Sequence, residues 1–257
     1  MRAQDTHRDV ARVAANWEVL GSEDPLWAVL WDPAGKGGRW DLRRFFETGT
    51  RDADEMLERV RSATGVAPRG GRALDFGCGV GRITAALSRR FDRVDGVDVA
   101  ESMIEKARRL CPPNCVFHLN RSPDLSLFES ETFDLVHSRL VLQHLAPQLV
   151  GSYVREFVRV LRPGGVAVFD VPDRHRWTPR GVFVRLAPDG LLSFVRRIRN
   201  PGGAVMELHV TPEVDVRAAV SAAGGEVLDA SPIADHPRMP LRKLCYVVRR
   251  SRRDTGG

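Results

Sequence analysis

The chain has 257 residues, of which 43% are hydrophobic and 28% charged. That is enough for one sizeable core and ordinary for a globular protein, and no apolar run approaches the roughly 18 residues of a membrane span. A net charge of +6 comes mostly from arginines spread along the chain, which reads as a solvated surface and leaves nucleic acid or an anionic substrate as secondary readings.

Taken from the start, "MRAQDTHRDVARVAANW" is charged throughout and has no apolar h-region, so no secretory signal is expected. A cytoplasmic location is the default. Residues 1–65 read as a helical cap. In "TRDADEMLERVRSATG" an acidic start, apolar Met56, Leu57 and Val60, and a stop at Gly65 predict a helix. The preceding "DPLWAVLWDPAGKGGRWDLRRFFETG" holds three of the five tryptophans and a Phe pair. Aromatics this dense must be buried; Trp17, Trp27, Trp31 and Trp40 read as cap packing, with a mobile lid as a natural extension.

From residue 72 short apolar runs alternate with helical patterns. "RALDF", "RVDGVDV", "NCVFHL", "FDLVHS" and "GVAVFDV" predict strands, and "GRITAALSRRF", "AESMIEKARRL" and "LAPQLVGSYVREFVRV" predict helices. This is the alternation of a doubly wound, mostly parallel sheet. "LRPGG" reads as a helix stop directly before the fifth strand. A helix over 211–223 and two closing strands, "GEVLDASPI" and "KLCYVVRR", complete a seven-stranded sheet at one edge. The core is therefore expected over 66–257. Residues 172–209 interrupt it as a Pro/Gly-punctuated insertion with seven arginines between 172 and 203, expected near the carboxyl ends of the strands, where ligands bind. Within it, 181–199 mixes Leu, Val and Phe with Arg, so membrane contact is possible there but not expected.

Cys78, Cys111, Cys115 and Cys245 are too few for a disulfide framework in a chain this long. "CPPNC" has no second ligand pair at zinc spacing, so reduced thiols and no metal are expected.

The chemistry centres on "ALDFGCGVGR", where a strand ends in Asp75 and is followed by Gly77, Gly79 and Gly81. Glycines between a strand and a helix let backbone approach a ligand. The spacing is neither the dinucleotide pattern nor a P-loop. Asp98, at the tip of the second strand, is placed to accept from both hydroxyls of a ribose; Asp95 competes for that role. Met103 either packs on a purine face or fills the core.

"LDFGCGVGR", "GVDVAESMIEKAR", "ETFDLVHSRLVLQHL" and "RVLRPGGVAVFDVP", in this order, resemble class I S-adenosylmethionine-dependent methyltransferases of the small-molecule type over residues 72–171. The resemblance implies a Rossmann-like fold, S-adenosyl-L-methionine as cofactor, and Asp75, Gly77, Cys78, Gly79 and Gly81 around its methionine part. It also implies Asp98 at the ribose with Val99 and Met103 beside it, and the "NRSPDL" loop, through Arg121 and Ser122, at the adenine. His137, Ser138 and Arg139 then line the methyl donor. The expected acceptor is an oxygen or nitrogen of a small molecule, in secondary metabolism. An RNA or other nucleic-acid substrate, or a lipophilic membrane-associated one, is the alternative. His144 is the first candidate base, and Asp170 and Asp173 candidate orienting groups; His209 is a weaker candidate.

Overall fold

A computed structural model describes residues 3–30, 33–175, 207–233 and 241–252. Trp31 and nearly all of the 172–209 insertion, including 181–199, lie outside them.

The cap opens with α1 (Ala3–Glu23) and α2 (Pro25–Leu30). The predicted 50–65 helix starts earlier than expected, as α3 (Leu42–Thr64). The reason is an N-cap: the Asp41 side chain accepts the Arg44 N–H at 2.8 Å. At the other end Gly65, in the left-handed region, returns its N–H to Arg61. Met56, Leu57 and Val60 are buried, as their spacing predicted.

The alternating core follows as β1 (Arg72–Phe76), α4 (Arg82–Leu87), β2 (Arg93–Asp98), α5 (Glu101–Leu110), β3 (Cys115–Leu119), β4 (Phe133–Ser138), α6 (Pro147–Val160), β5 (Leu161–His175), α7 (Glu213–Ala222), β6 (Gly225–Pro232) and β7 (Leu241–Arg250). The sheet order is β3-β2-β1-β4-β5-β7-β6. The first five strands run parallel, and β7 is antiparallel to both of its neighbours. This is the doubly wound, seven-stranded α/β sheet expected from the alternation. One local expectation is corrected. "LRPGG" does not precede the strand; it belongs to it. Leu161 already pairs with Phe133, and a register shift lets residues 162–165 bulge before Val166 pairs with Leu135.

Both sheet faces are covered, which explains the nearly continuous apolar strands. Ala73, Leu135, Val166, Val168 and Val247 pack beneath α3 and α4. Their chain neighbours Leu74, Val136, Ala167, Phe169 and Val248 pack beneath α6 and α7. The cap joins the core where Leu20, Ala28 and Phe45 meet Val80, Ala100 and Met103. The Glu18 carboxylate also accepts the N–H of Glu101 at 2.7 Å and of Ser102 at 3.2 Å, fastening α1 to the start of α5. Among the described residues no helix is long and apolar enough to cross a membrane.

Candidate active site

A cavity opens at the carboxyl ends of β1, β2 and β4, the topological switch region of such a sheet. The glycine turn forms its floor, with Asp75, Phe76, Gly77, Cys78 and Gly79 on the wall. Gly77 sits at φ +73°, and a Cβ there would overlap Val141. Glycine is needed because both the conformation and the space exclude a side chain. Gly81 lies off the wall. It caps α4, its N–H bonds Cys78 O at 2.9 Å, and a Cβ would run into Cys111. Its role is to shape the turn.

The two competing acids have different partners and different surroundings. Asp95 is fully buried within β2. Arg72 reaches it at 2.6 Å, His118 at 2.7 Å and Arg93 at 2.9 Å. Burial opposes its ionisation, but these hydrogen bonds outweigh that and hold its carboxyl well below the usual carboxylate range. Asp98 instead faces the cavity with Val97, Val99 and Met103. It accepts the N–H of Gly79 at 2.8 Å and of Ala100 at 3.0 Å. Burial raises its pKa, partly offset by these N–H groups. Met103 is both core and wall, 1% exposed.

The adenine loop departs from expectation. Arg121 points outward toward Glu101, at 3.7 Å, and Ser122 does not line the cavity. The Ser122 carbonyl is drawn away by the Tyr153 hydroxyl, which donates to it at 2.6 Å. Asn120 takes the wall position, its side-chain oxygen accepting the Ser122 N–H at 3.1 Å. Ser138 also lies off the wall, buried, its hydroxyl without a hydrogen-bond partner among the described residues. Its neighbours His137 and Arg139 are on the wall. His137 Nδ1 lies 2.7 Å from the Asp75 carboxylate, whose other oxygen accepts the Thr84 hydroxyl at 2.6 Å. Asp75 thus braces β1, β4 and α4 from beneath the turn.

The acceptor side is built from a 3-10 turn (Leu142–His144), Leu140, Val141, Leu145 and one face of α1. Val10, Val13 and Trp17, at helical spacing, form that face, and the Trp17 ring meets His144 edge-on at 5.2 Å. Trp17 is expected from the sequence as cap packing with a lid as an extension; Val10 and Val13 join it through an i, i+3, i+7 apolar pattern that the sequence carries. His144 Nδ1–H donates to Glu207 O at 2.8 Å, which leaves Nε2 as the acceptor for the Gln143 amide at 3.0 Å. Burial pushes its pKa down to about 4, only partly offset by the Glu207 hydrogen bond. His209 sits beside it on Glu207, at 3.1 Å, and Arg12 of α1 pairs with the same carboxylate.

Asp170 is corrected as an orienting group. It does not reach the cavity wall. Its carboxylate accepts the Leu140 N–H at 2.8 Å and lies 4.0 Å from the buried Lys243 ammonium. Leu140 holds φ +64°, unusual for a branched side chain, so Asp170 pins the strained corner after β4. Asp173 is likewise consumed, by Arg242 and Arg174. All four cysteines are free. Burial raises the Cys78 thiol well above its ordinary range, which leaves it inert. Among the described residues no group of His, Cys, Asp and Glu could hold a metal.

The depressed His144 pKa has a stability consequence. The folded state binds this proton less well than the unfolded chain, so the contribution is complete above 6.5 and is lost as pH falls toward 4. Denaturant unfolding between pH 7 and 4.5 is expected to show a loss of about 2–2.5 kcal/mol that His144→Gln removes. An unchanged slope in the variant would assign the loss to other groups.

A family model described as a methyltransferase domain matches residues 73–165, the stretch that carries the glycine turn, Asp98 and the corner after β4. Over that stretch the chain is similar to a methyltransferase domain. A malonyl-[acyl-carrier protein] O-methyltransferase of Halorhodospira halophila is 36% identical over 126 residues, 46% of this chain and 39% of that protein. A trans-aconitate 2-methyltransferase of Variovorax paradoxus is 31% identical over 147 residues, 56% of this chain and 50% of that protein. The chain therefore spans about half, or less, of the length of these curated relatives. A solved magnesium protoporphyrin IX methyltransferase of Synechocystis, with the demethylated cofactor bound, shares the fold at a TM-score of 0.61 and 18% identity, covering 95% of this chain and all of that one.

The residues of the cavity fit S-adenosylmethionine. The glycines of the turn bring backbone to the wall and would take the amino-acid end, the half-buried carboxylate at the β2 tip the ribose, and the apolar slot of Val97, Val99 and Met103 the adenine.

Proposed function

We propose that the chain moves the methyl group of S-adenosylmethionine to an oxygen or nitrogen of a small molecule. The observation that carries this reading is the cavity itself. It runs from Gly77, Gly79 and Asp98 to the face of α1, with a mainly apolar wall and a roof formed by the cap. The bound cofactor supplies an electrophilic methyl on a sulfonium. The chain's part is to hold and to exclude. Asp98 and the glycine turn fix the donor. Val10, Val13, Trp17, Leu140 and Leu145 keep water from the acceptor side. Alignment of this kind can contribute about 7–11 kcal/mol. The trans-aconitate named for one relative supports a small acceptor, and the other relative's name gives a malonyl group borne on an acyl-carrier protein.

The test is a purified chain incubated with S-adenosylmethionine and fractionated small-molecule extracts. Mass spectrometry should find a product one methyl group heavier than its parent, formed with an equal amount of demethylated cofactor. Demethylated cofactor appearing only with added RNA or vesicles would replace this reading.

A further inference from the structure

Among the described residues, the acceptor wall holds an arginine with unused hydrogen-bonding capacity and no group ready to take a proton. Arg82 spends Nη1 on Asp52 at 2.7 Å and Thr48 at 3.1 Å, and its side chain is only 4% exposed, with Nε buried and unpartnered among the described residues. Arg139 differs. It approaches Asp52 at 3.5 Å and Glu55 at 3.9 Å, beyond hydrogen-bonding geometry, and makes no hydrogen bond to a described residue. Its side chain stays 24% exposed on the cavity wall. The strand order β2-β1-β4 puts it across the glycine turn from Asp98, on the side of Leu140, Val141 and His144.

Each candidate base on the described wall is committed elsewhere. The His144 lone pair is taken by Gln143, and its low pKa makes it a poor proton acceptor. His137 lies between Asp75 and the Met56 sulfur, which its Nε2 approaches at 2.8 Å. Asp75 serves Thr84 and His137, Asp98 serves two backbone N–H groups, and Asp170 is off the wall. The Tyr153 hydroxyl donates to Ser122, and burial raises its pKa further.

An alcohol, a phenol or an alkylammonium must lose a proton to become the nucleophile. A carboxylate need not, and a planar guanidinium with free donors matches it two bonds at a time. From these residues, and resting on the small-molecule methyl transfer proposed above, we infer that the acceptor is the carboxylate of an otherwise apolar molecule, held by Arg139. One carboxylate oxygen forms the bond to the methyl carbon as the carbon–sulfur bond breaks. The electron pair stays on sulfur, the acid becomes a methyl ester, and no proton is released. Asp52 and Glu55 keep Arg139 in place and temper its charge, so an ester product can leave.

The test is equilibrium binding with the demethylated cofactor present, read from tryptophan fluorescence because Trp17 lines the cavity. The probes are octanoate, phenylacetate and cinnamate, each beside its amide and alcohol. At least one acid is expected to bind ten-fold or more tighter than its two partners. Arg139→Gln should abolish that preference while calorimetry shows cofactor affinity within about two-fold, and Arg139→Lys should restore part of it. Turnover of the preferred acid should be level from pH 6 to 9. Equal binding of acids, amides and alcohols, or no binding of any acid, overturns the inference. So does an Arg139→Gln variant that loses cofactor affinity and keeps the acid preference, for the guanidinium would then serve the cofactor's own carboxylate. Failure of the wild-type chain to bind the demethylated cofactor at all would sink the methyl-transfer reading instead.

Discussion

Replacing Asp98 with Ala is expected to weaken S-adenosylmethionine binding by about 100-fold or more. Two losses add. The ribose hydroxyls lose a charged acceptor, a type of hydrogen bond worth about 1.5–3 kcal/mol. The N–H groups of Gly79 and Ala100 lose theirs as well, and an unsatisfied buried donor costs about 1–3 kcal/mol. The second loss loosens the turn that carries Gly77 and Gly79, so a small part of the effect should survive in the folding stability of the unliganded chain. Asp98→Asn separates the two, since an amide oxygen can still accept one N–H. Titration calorimetry gives the affinity. A change of less than three-fold in the Ala variant would remove Asp98 from the cofactor site.

The largest effect on stability is expected at Asp170, away from the cavity wall. Its side chain is 3% exposed and its partner Lys243 is fully buried. Taking one member from a buried charge pair typically costs about 3–5 kcal/mol, because the other charge stays behind in a poor solvent. Asp170→Ala also frees the Leu140 N–H at a backbone angle that a leucine resists. Urea unfolding should show a loss in that range, with cofactor affinity falling as the Leu140–Val141 corner relaxes away from Gly77. Asp170→Asn, which keeps the hydrogen bond but not the charge, should lie between. Asp173 provides the contrast. Its arginine partners are 31% and 61% exposed, can return to water, and should make Asp173→Ala cost about 1 kcal/mol or less. A loss under 1 kcal/mol at Asp170 would show that other groups balance Lys243.

Strand–helix alternation made the sheet legible, because strands covered on both faces read as nearly unbroken apolar runs and the helices between them carry a clear stripe. The cofactor side was legible for a related reason. Glycines after β1 and an acid ending β2 are set by backbone position, which sequence spacing reports directly. Side-chain partnership is not reported that way. Asp98 ends β2 and Asp170 lies within β5, yet both read alike as acids closing an apolar run; one serves a cavity and the other a backbone corner, and only the distance to Lys243 and Leu140 separates them. Asn120 and Ser122 exchanged places for a similar reason: the pull on the loop comes from Tyr153, thirty-one residues away in the chain. The acceptor side was least legible, because its wall borrows Val10, Val13 and Trp17 from a helix whose apolar face looks like ordinary packing until α5 and the turn after β4 are seen beside it.

The placement of β7 bears on how the protein is made. It lies between β5 and β6, both of which precede it in the chain. Until residues 241–250 have left the ribosome, β5 presents an open edge and β6 has nothing to pair with. Lys243 also arrives with that strand, so Asp170 waits without its counterion through most of synthesis. The corner it pins, and with it the acceptor wall, cannot settle before then. Nascent chains stalled short of residue 241 should therefore be the ones that chaperones hold.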